Sequence, residues 1–307
     1  MDFVYNIKYT KCNGVNMREI KLKARAKINI TLDIIGKRDN GYHDVEMVMQ
    51  TIDLYDRLIL KKIKKNKISI KTNLCYLPTD ERNLVYKIID YMRTTYCIKE
   101  GVFVNLYKMI PVAAGLAGGS SDGAQTIVGM NRLFDLKLSV DDMLSIGSMF
   151  GADIPYCIIQ GTALATGLGE KITLLKPFPE VYVLIVKPKF SMSTAVVYKN
   201  FELEKVKVHP KTELVIKAIE EGNIDYICES LVNVLETVTP KIHPEINDIK
   251  KKLKNLGADG VLMSGSGPAV YGIYKDKKQG EKALAIIKKE RGMQFAYLST
   301  IYNRKKD

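Results

Sequence analysis

Histidine is nearly absent: His43, His209 and His243 are the only three in the chain. With so few, a histidine-rich metal centre or a Ser/His/Asp hydrolase has little to build on. Cysteine is sparse too. Cys12, Cys75, Cys97, Cys157 and Cys228 are odd in number, far apart and form no C-x-x-C pair, which argues against a disulfide framework or a thiolate zinc site. No apolar run approaches the roughly 20 residues that a membrane span requires. The N-terminus carries Asp2, Lys8, Lys11, Arg18 and Glu19 where a signal peptide would need an apolar core. The expectation is a cytoplasmic protein with no membrane partner. Internal repeats and low-complexity tracts are also missing.

What remains is ordinary globular material, 307 residues that are 46% hydrophobic and 26% charged, enough for two fused modules. A formal net charge of +13 would suit nucleic acid, because clustered lysine drives binding to phosphate. The lysine runs at 61–67, 250–254, 275–278 and 304–306, however, interleave with strand-like or helical patterns rather than with base-stacking aromatics. They read as solvated faces without a nucleic-acid partner, while the positive field favours polyphosphate substrates.

Residues 1–16 show no periodicity and are expected to form an N-terminal extension, with Met17 as an alternative start. From Leu22 the apolar residues alternate through Ala24, Ala26, Ile28, Ile30 and Leu32, the pattern of a half-buried strand that points Lys27 and Asn29 the same way. A turn cluster at 36–41 precedes strand-like segments at 45–54 and 57–63. Lys65, Asn66 and Lys67 are expected to form a hairpin turn before a strand at 68–72. Asn83 precedes a helical pattern, and 102–106 is a strand leading into a Gly/Ser loop. A helix follows around 124–134. Ser139 and Asp142 form a capping box for another, with Gly151 as its C-terminal cap. The apolar run 181–186 opens a second α/β module, so the predicted domains are 17–175 and 176–307.

The loop consists of Pro111, Val112, Ala113, Ala114, Gly115, Leu116, Ala117, Gly118, Gly119, Ser120 and Ser121. Its glycines permit positive φ and close backbone approach, and Ser120, Ser121 and Asp122 are helix N-cap types. Free backbone N–H groups at a helix start suit a phosphate. A plain flexible linker would not hold four small residues between a strand and a helix. The loop is not a Walker motif, since Ser120 stands where that motif needs lysine, and it is not G-x-G-x-x-G.

Residues 111–122 resemble the second motif of the GHMP kinases, and three more segments match that family in order: 26–30 (Ala-Lys-Ile-Asn-Ile), 151–155 (Gly-Ala-Asp-Ile-Pro) and 263–268 (Met-Ser-Gly-Ser-Gly-Pro). The likeness runs from about Met17 to the C-terminal strand. It implies a two-domain α/β (α+β) fold, with a ribosomal-protein-S5-like N-terminal domain and a ferredoxin-like C-terminal domain. It also implies transfer of the γ-phosphoryl of ATP, with Mg²⁺, to a small alcohol. Gly36-Lys-Arg followed by Gly41-Tyr-His43 is similar to the branch whose acceptor is a cytidine-diphosphate alcohol; homoserine, mevalonate or a sugar is the alternative acceptor, and a non-catalytic ligand sensor the remaining one.

The resemblance implies Asp153 as general base and Lys27 as its cationic neighbour, chemistry that makes independent sense for phosphoryl transfer. It implies Asn29, Tyr42, His43, Thr194 and Tyr198 on the acceptor side, with the two tyrosines and His43 around the cytosine. Gly265, Ser266 and Gly267 are a second glycine turn, which by spacing alone could be a plain strand link and which the resemblance places near the phosphates; Asn83 and Lys108 match nucleotide-side positions of the family. No metal ligand can be assigned, Ser121 being a bare candidate. The sequence departs from the family pattern in three places: Ala117 for glycine, Gly123-Ala-Gln125 for a run of alanines, and Asn40 for aspartate. If position 117 needs positive φ, its alanine costs roughly 1 kcal/mol or more.

Overall fold

A computed structural model describes residues 18–39 and 41–304. The N-terminal extension, Cys12, Met17, Asn40 and the last three residues lie outside that range. The first part of the chain runs β1 (Glu19–Lys37), β2 (His43–Ile63), β3 (Ile68–Thr72), α1 (Leu84–Thr95), β4 (Gly101–Tyr107), α2 (Gly118–Phe134), α3 (Val140–Phe150), α4 (Asp153–Ile159), β5 (Thr162–Gly167) and β6 (Lys171–Leu174). The rest runs β7 (Tyr182–Pro188), α5 (Thr194–Lys199), α6 (Thr212–Glu221), α7 (Ile224–Glu229), β8 (Val232–Asn233), α8 (Thr239–Ile242), α9 (Glu245–Asn255), β9 (Gly260–Met263), β10 (Val270–Tyr274), α10 (Lys277–Ile287) and β11 (Met293–Thr300).

The first sheet has the order β3-β4-β2-β1-β8, and β5 joins the free stretch of β2 and carries β6. β2 is one continuous strand rather than two segments. It is long enough to pair with β4 over 57–63 and with β5 over 45–50. The expected hairpin at 65–67 does not form. β3 pairs in parallel with β4 instead, because β4 inserts between it and β2. Gly101 permits this: a Cβ there would lie 2.0 Å from the Lys65 carbonyl oxygen, so only glycine lets β4 start against that turn.

The second sheet has the order β11-β7-β10-β9, antiparallel throughout. With α9 before β9 and α10 before β11, this is the β-α-β-β-α-β arrangement of a ferredoxin-like unit. The two sheets interlock. β8 runs parallel to β1, pairing Thr31 with Val232, and Ile52 bridges Ile301. Ile28 and Ile30 pack into one core with Ile185 and Tyr271 of the second sheet. β1 is consequently not half-buried over its length. From Ala26 to Ile34 both faces are covered, and Lys27, Asn29 and Thr31 are among the buried polar residues. The expected alternation survives only at its start, where Lys21 and Lys23 are exposed. There the basic residues do meet aromatic rings: Lys23 lies 4.2 Å from the Tyr55 ring centroid and Arg57 4.6 Å from that of Tyr107. No helix among the described residues is long and apolar enough to cross a membrane.

Candidate active site

A cleft of about 1380 Å³ opens between the two sheets, lined by all of residues 111–120 together with Lys27, Asp153, Tyr42, His43, Thr194, Tyr198, Gly265 and Ser266. Segments that are far apart in sequence meet here because three contacts brace the loop. The Lys27 N–H donates to Leu116 O at 3.2 Å and the Ala269 N–H to Ala114 O at 3.1 Å. The Ser264 hydroxyl donates to Gly115 O at 2.9 Å. Gly115, at φ +77°, allows the approach, since a Cβ there would sit 2.1 Å from Ser264 O. The second glycine turn thus backs the first, with Asn233 donating to Gly265 O from behind at 2.8 Å.

The helix after the loop starts earlier than its polar residues indicate. α2 begins at Gly118 behind Ala117, which is left-handed at φ 53° and makes no side-chain cap. Ser120, Ser121 and Asp122 therefore lie inside the helix rather than capping it, and the loop offers backbone N–H groups instead of hydroxyl caps. Ala113 is also left-handed, at φ 51°. The cost anticipated for an alanine at 117 is thus present. Ala117→Gly is expected to stabilise the fold by about 1 kcal/mol, seen as a higher urea midpoint at constant m value. An unchanged midpoint would mean the loop carries no such strain.

Asp153 is the first residue of α4, and Pro155 falls in the first turn, where a missing N–H costs nothing. α4 is pinned by Tyr156, whose buried hydroxyl lies 2.9 Å from the Thr51 hydroxyl and donates to Gly161 O at 2.7 Å. This attaches Asp153 to β2. Gly151 closes α3 with extended backbone, φ 167°, rather than a left-handed cap; the capping box of Ser139 and Asp142 forms as expected. Lys27, 5% exposed, donates to the Asn29 side-chain oxygen at 2.6 Å. Asn29 donates onward toward the Met47 sulfur at 3.4 Å. Lys27 and Asp153 face the same cleft without an ion pair to each other. Burial, and then the Asp153 charge, pushes the Cys157 thiol well up, so this cysteine one turn along α4 is a neutral core group.

At the other end, His43 lies 5.6 Å from Tyr198 and 6.0 Å from Phe201, centroid to centroid. Burial first, then the nearby Lys37, lowers the His43 pKa. The ring is neutral at pH 7 and can donate from one nitrogen while accepting at the other. Tyr198 is raised by burial and by Asp153, which places the aromatic end beside the carboxylate. Thr194 and Ser266 hydroxyls are 2.9 Å apart, joining α5 to the second glycine turn.

Some expected residues stand elsewhere. Asn83 is the cap of α1, accepting from Val85 N and donating to Pro78 O, and is not among the cleft-lining residues. Asn29, Ser121 and Gly267 also lie behind the wall. Ser121 is fully buried, its hydroxyl without a hydrogen-bond partner. Lys108 reaches the wall, but its ammonium is held by Asp56 and Asp122. Lys37, Lys199, Leu168 and Glu170 line the cleft unanticipated. Lys37 and Lys199 adjoin the Gly-Tyr-His turn and Tyr198, and that adjacency was the available signal; nothing local marks Leu168 or Glu170. Among the described residues no group of three His, Cys, Asp or Glu could hold a metal ion.

Comparison with known proteins agrees with this geometry. Residues 83–161 match the GHMP kinases N terminal domain and residues 215–292 the GHMP kinases C terminal family. A 4-diphosphocytidyl-2-C-methyl-D-erythritol kinase from Lachnoclostridium phytofermentans is 50% identical over 264 residues, covering 86% of this chain and 91% of that one. One of the same name from Clostridium botulinum (strain Eklund 17B) is 48% identical over 271 residues, 88% and 96% of the two chains. The crystal structure of a 4-(cytidine 5'-diphospho)-2C-methyl-D-erythritol kinase superposes with a TM-score of 0.78 at 27% identity, covering 92% of this chain and 99% of that one. On the strength of both family matches and relatives at half identity over nearly their whole length, the chain belongs to the GHMP kinase family of ATP-dependent small-molecule kinases.

Proposed function

We propose that the chain phosphorylates the 2-hydroxyl of 4-diphosphocytidyl-2-C-methyl-D-erythritol, an isoprenoid precursor of the non-mevalonate route, from ATP. The observation that carries this is that the phosphate-type loop, Lys27 with Asp153, and Tyr42 with His43 and Tyr198 all line one cleft. Loop amides and the α2 N-terminus hold the ATP phosphates. A neutral His43 reads the cytosine edge while the tyrosine rings cover its faces. The Asp153 carboxylate takes the proton of the acceptor hydroxyl as that oxygen bonds to the γ-phosphorus. The bond from the γ-phosphorus to its bridging oxygen breaks, and ADP leaves. Lys27 offsets the charge gathering on the phosphoryl oxygens. Among the described residues no acidic cluster could hold a metal ion, so Mg²⁺ would be carried by the ATP phosphates and water and would there supply neutralisation of phosphate charge.

An ADP-release assay with the cytidine-diphosphate alcohol, homoserine, mevalonate and sugars as separate acceptors tests this reading. Turnover only with the first is expected; turnover only with another would replace it, and none at all with ATP would favour a ligand sensor. His43→Ala should raise the KM of the cytidine substrate by roughly tenfold or more and leave that of ATP unchanged. Equal changes in both would remove the cytosine from the reading.

A further inference from the structure

Both ends of the phosphate loop rest on one buried charge cluster that contains an unanticipated residue, Asp56. Lys108, directly after β4, turns its ammonium inward, with its side chain 4% exposed. It donates to Asp56 of β2 and, at 2.5 Å, to Asp122, the fifth residue of α2. Asp56 accepts with its other oxygen from the N–H groups of Met109 and Ile110 at 2.5 and 2.8 Å, the two residues leading into the loop. A Cβ on Gly118 would lie 2.9 Å from Ile110 Cγ2 and 3.5 Å from Lys108 Nζ. The start of α2 is therefore seated on this cluster.

We propose that Asp56 is a positioning residue for nucleotide binding, setting the course of the loop through Lys108 and the amides of Met109 and Ile110 without lining the cleft itself. The two carboxylates are not equivalent. Both Asp56 oxygens face donors, whereas one Asp122 oxygen is buried without a partner. Burial, with the neighbouring Asp56 adding to it, pushes the Asp122 pKa up against the pull of Lys108. An asparagine at 122 can turn its carbonyl to Lys108 and leave its amide on the vacant side. An asparagine at 56 must set N–H groups against either the ammonium or the loop amides.

The inference rests on the nucleotide half of the proposed function alone, so ADP titrated calorimetrically into the full chain is the probe. Asp56→Asn should raise the ADP Kd roughly tenfold or more. Asp122→Asn should stay within about threefold, and the acceptor KM should stay within about threefold in both. Wild-type ADP affinity in Asp56→Asn, equal damage from Asp122→Asn, or a matching rise in acceptor KM would overturn the positioning role. An unaltered chain that binds no ADP would sink the nucleotide reading first. Should Asp56→Asn not fold, Lys108→Gln replaces it, with faster hydrogen exchange expected at the Met109 and Ile110 amides. Weakened ADP binding with those amides still protected would make Lys108 a direct ligand and Asp56 merely structural.

Discussion

Asp153→Asn is expected to lower kcat by about 10²- to 10⁴-fold, the range for losing a general base, while the KM for ATP stays within about threefold. Asparagine keeps the shape of the side chain and tolerates the first position of α4. Tyr156 still ties that helix to Thr51 and Gly161, so the cleft keeps its geometry. The amide oxygen can accept the acceptor's hydroxyl hydrogen bond but cannot take its proton. Steady-state turnover with single-turnover controls separates this from slower binding, and near-normal kcat would remove Asp153 from the chemistry.

Lys27→Met should lower kcat by about 10²- to 10³-fold, the usual loss when one electrostatic donor to a developing anion is removed. Methionine is flexible enough to fill the same buried space beside Asn29, so the thermal midpoint serves as the control for folding. The ammonium is already aimed by Asn29 at 2.6 Å, and this orientation requires no reorganisation during transfer. A variant that folds and turns over within about threefold of wild type would show that Lys27 contributes position rather than charge.

The sequence made the motif-bearing part of this site legible and left its foundations hidden. Residues 111–121 announce a phosphate loop by composition, and Ala117 announces a strained backbone because a family-pattern glycine is missing. The alternation through Ile30 shows a strand, yet both of its faces are buried there, that of Ile28 against the second sheet, a fact of tertiary packing. The hairpin expected at 65–67 does not form because a turn signal is local, whereas the choice of β4 as the neighbour of β2 depends on a strand almost forty residues away. Asp56 carries no local signal at all. It is one acidic residue in an alternating strand until Lys108 and Asp122 close around it.

By itself, the order of residues determined the elements that depend on near neighbours: strands by alternation, α1 and α3 by Asn83 and Ser139, and the loop by its glycines. Its likeness to the GHMP kinases implies the roles proposed for these residues. Tertiary structure alone decided which of those residues share a cleft, which stand behind its wall, and what charge lies beneath the loop. The physical reason is that side-chain burial and ion pairing are set by contacts between segments far apart in the chain, and a linear pattern specifies each segment's face but not what comes to cover it.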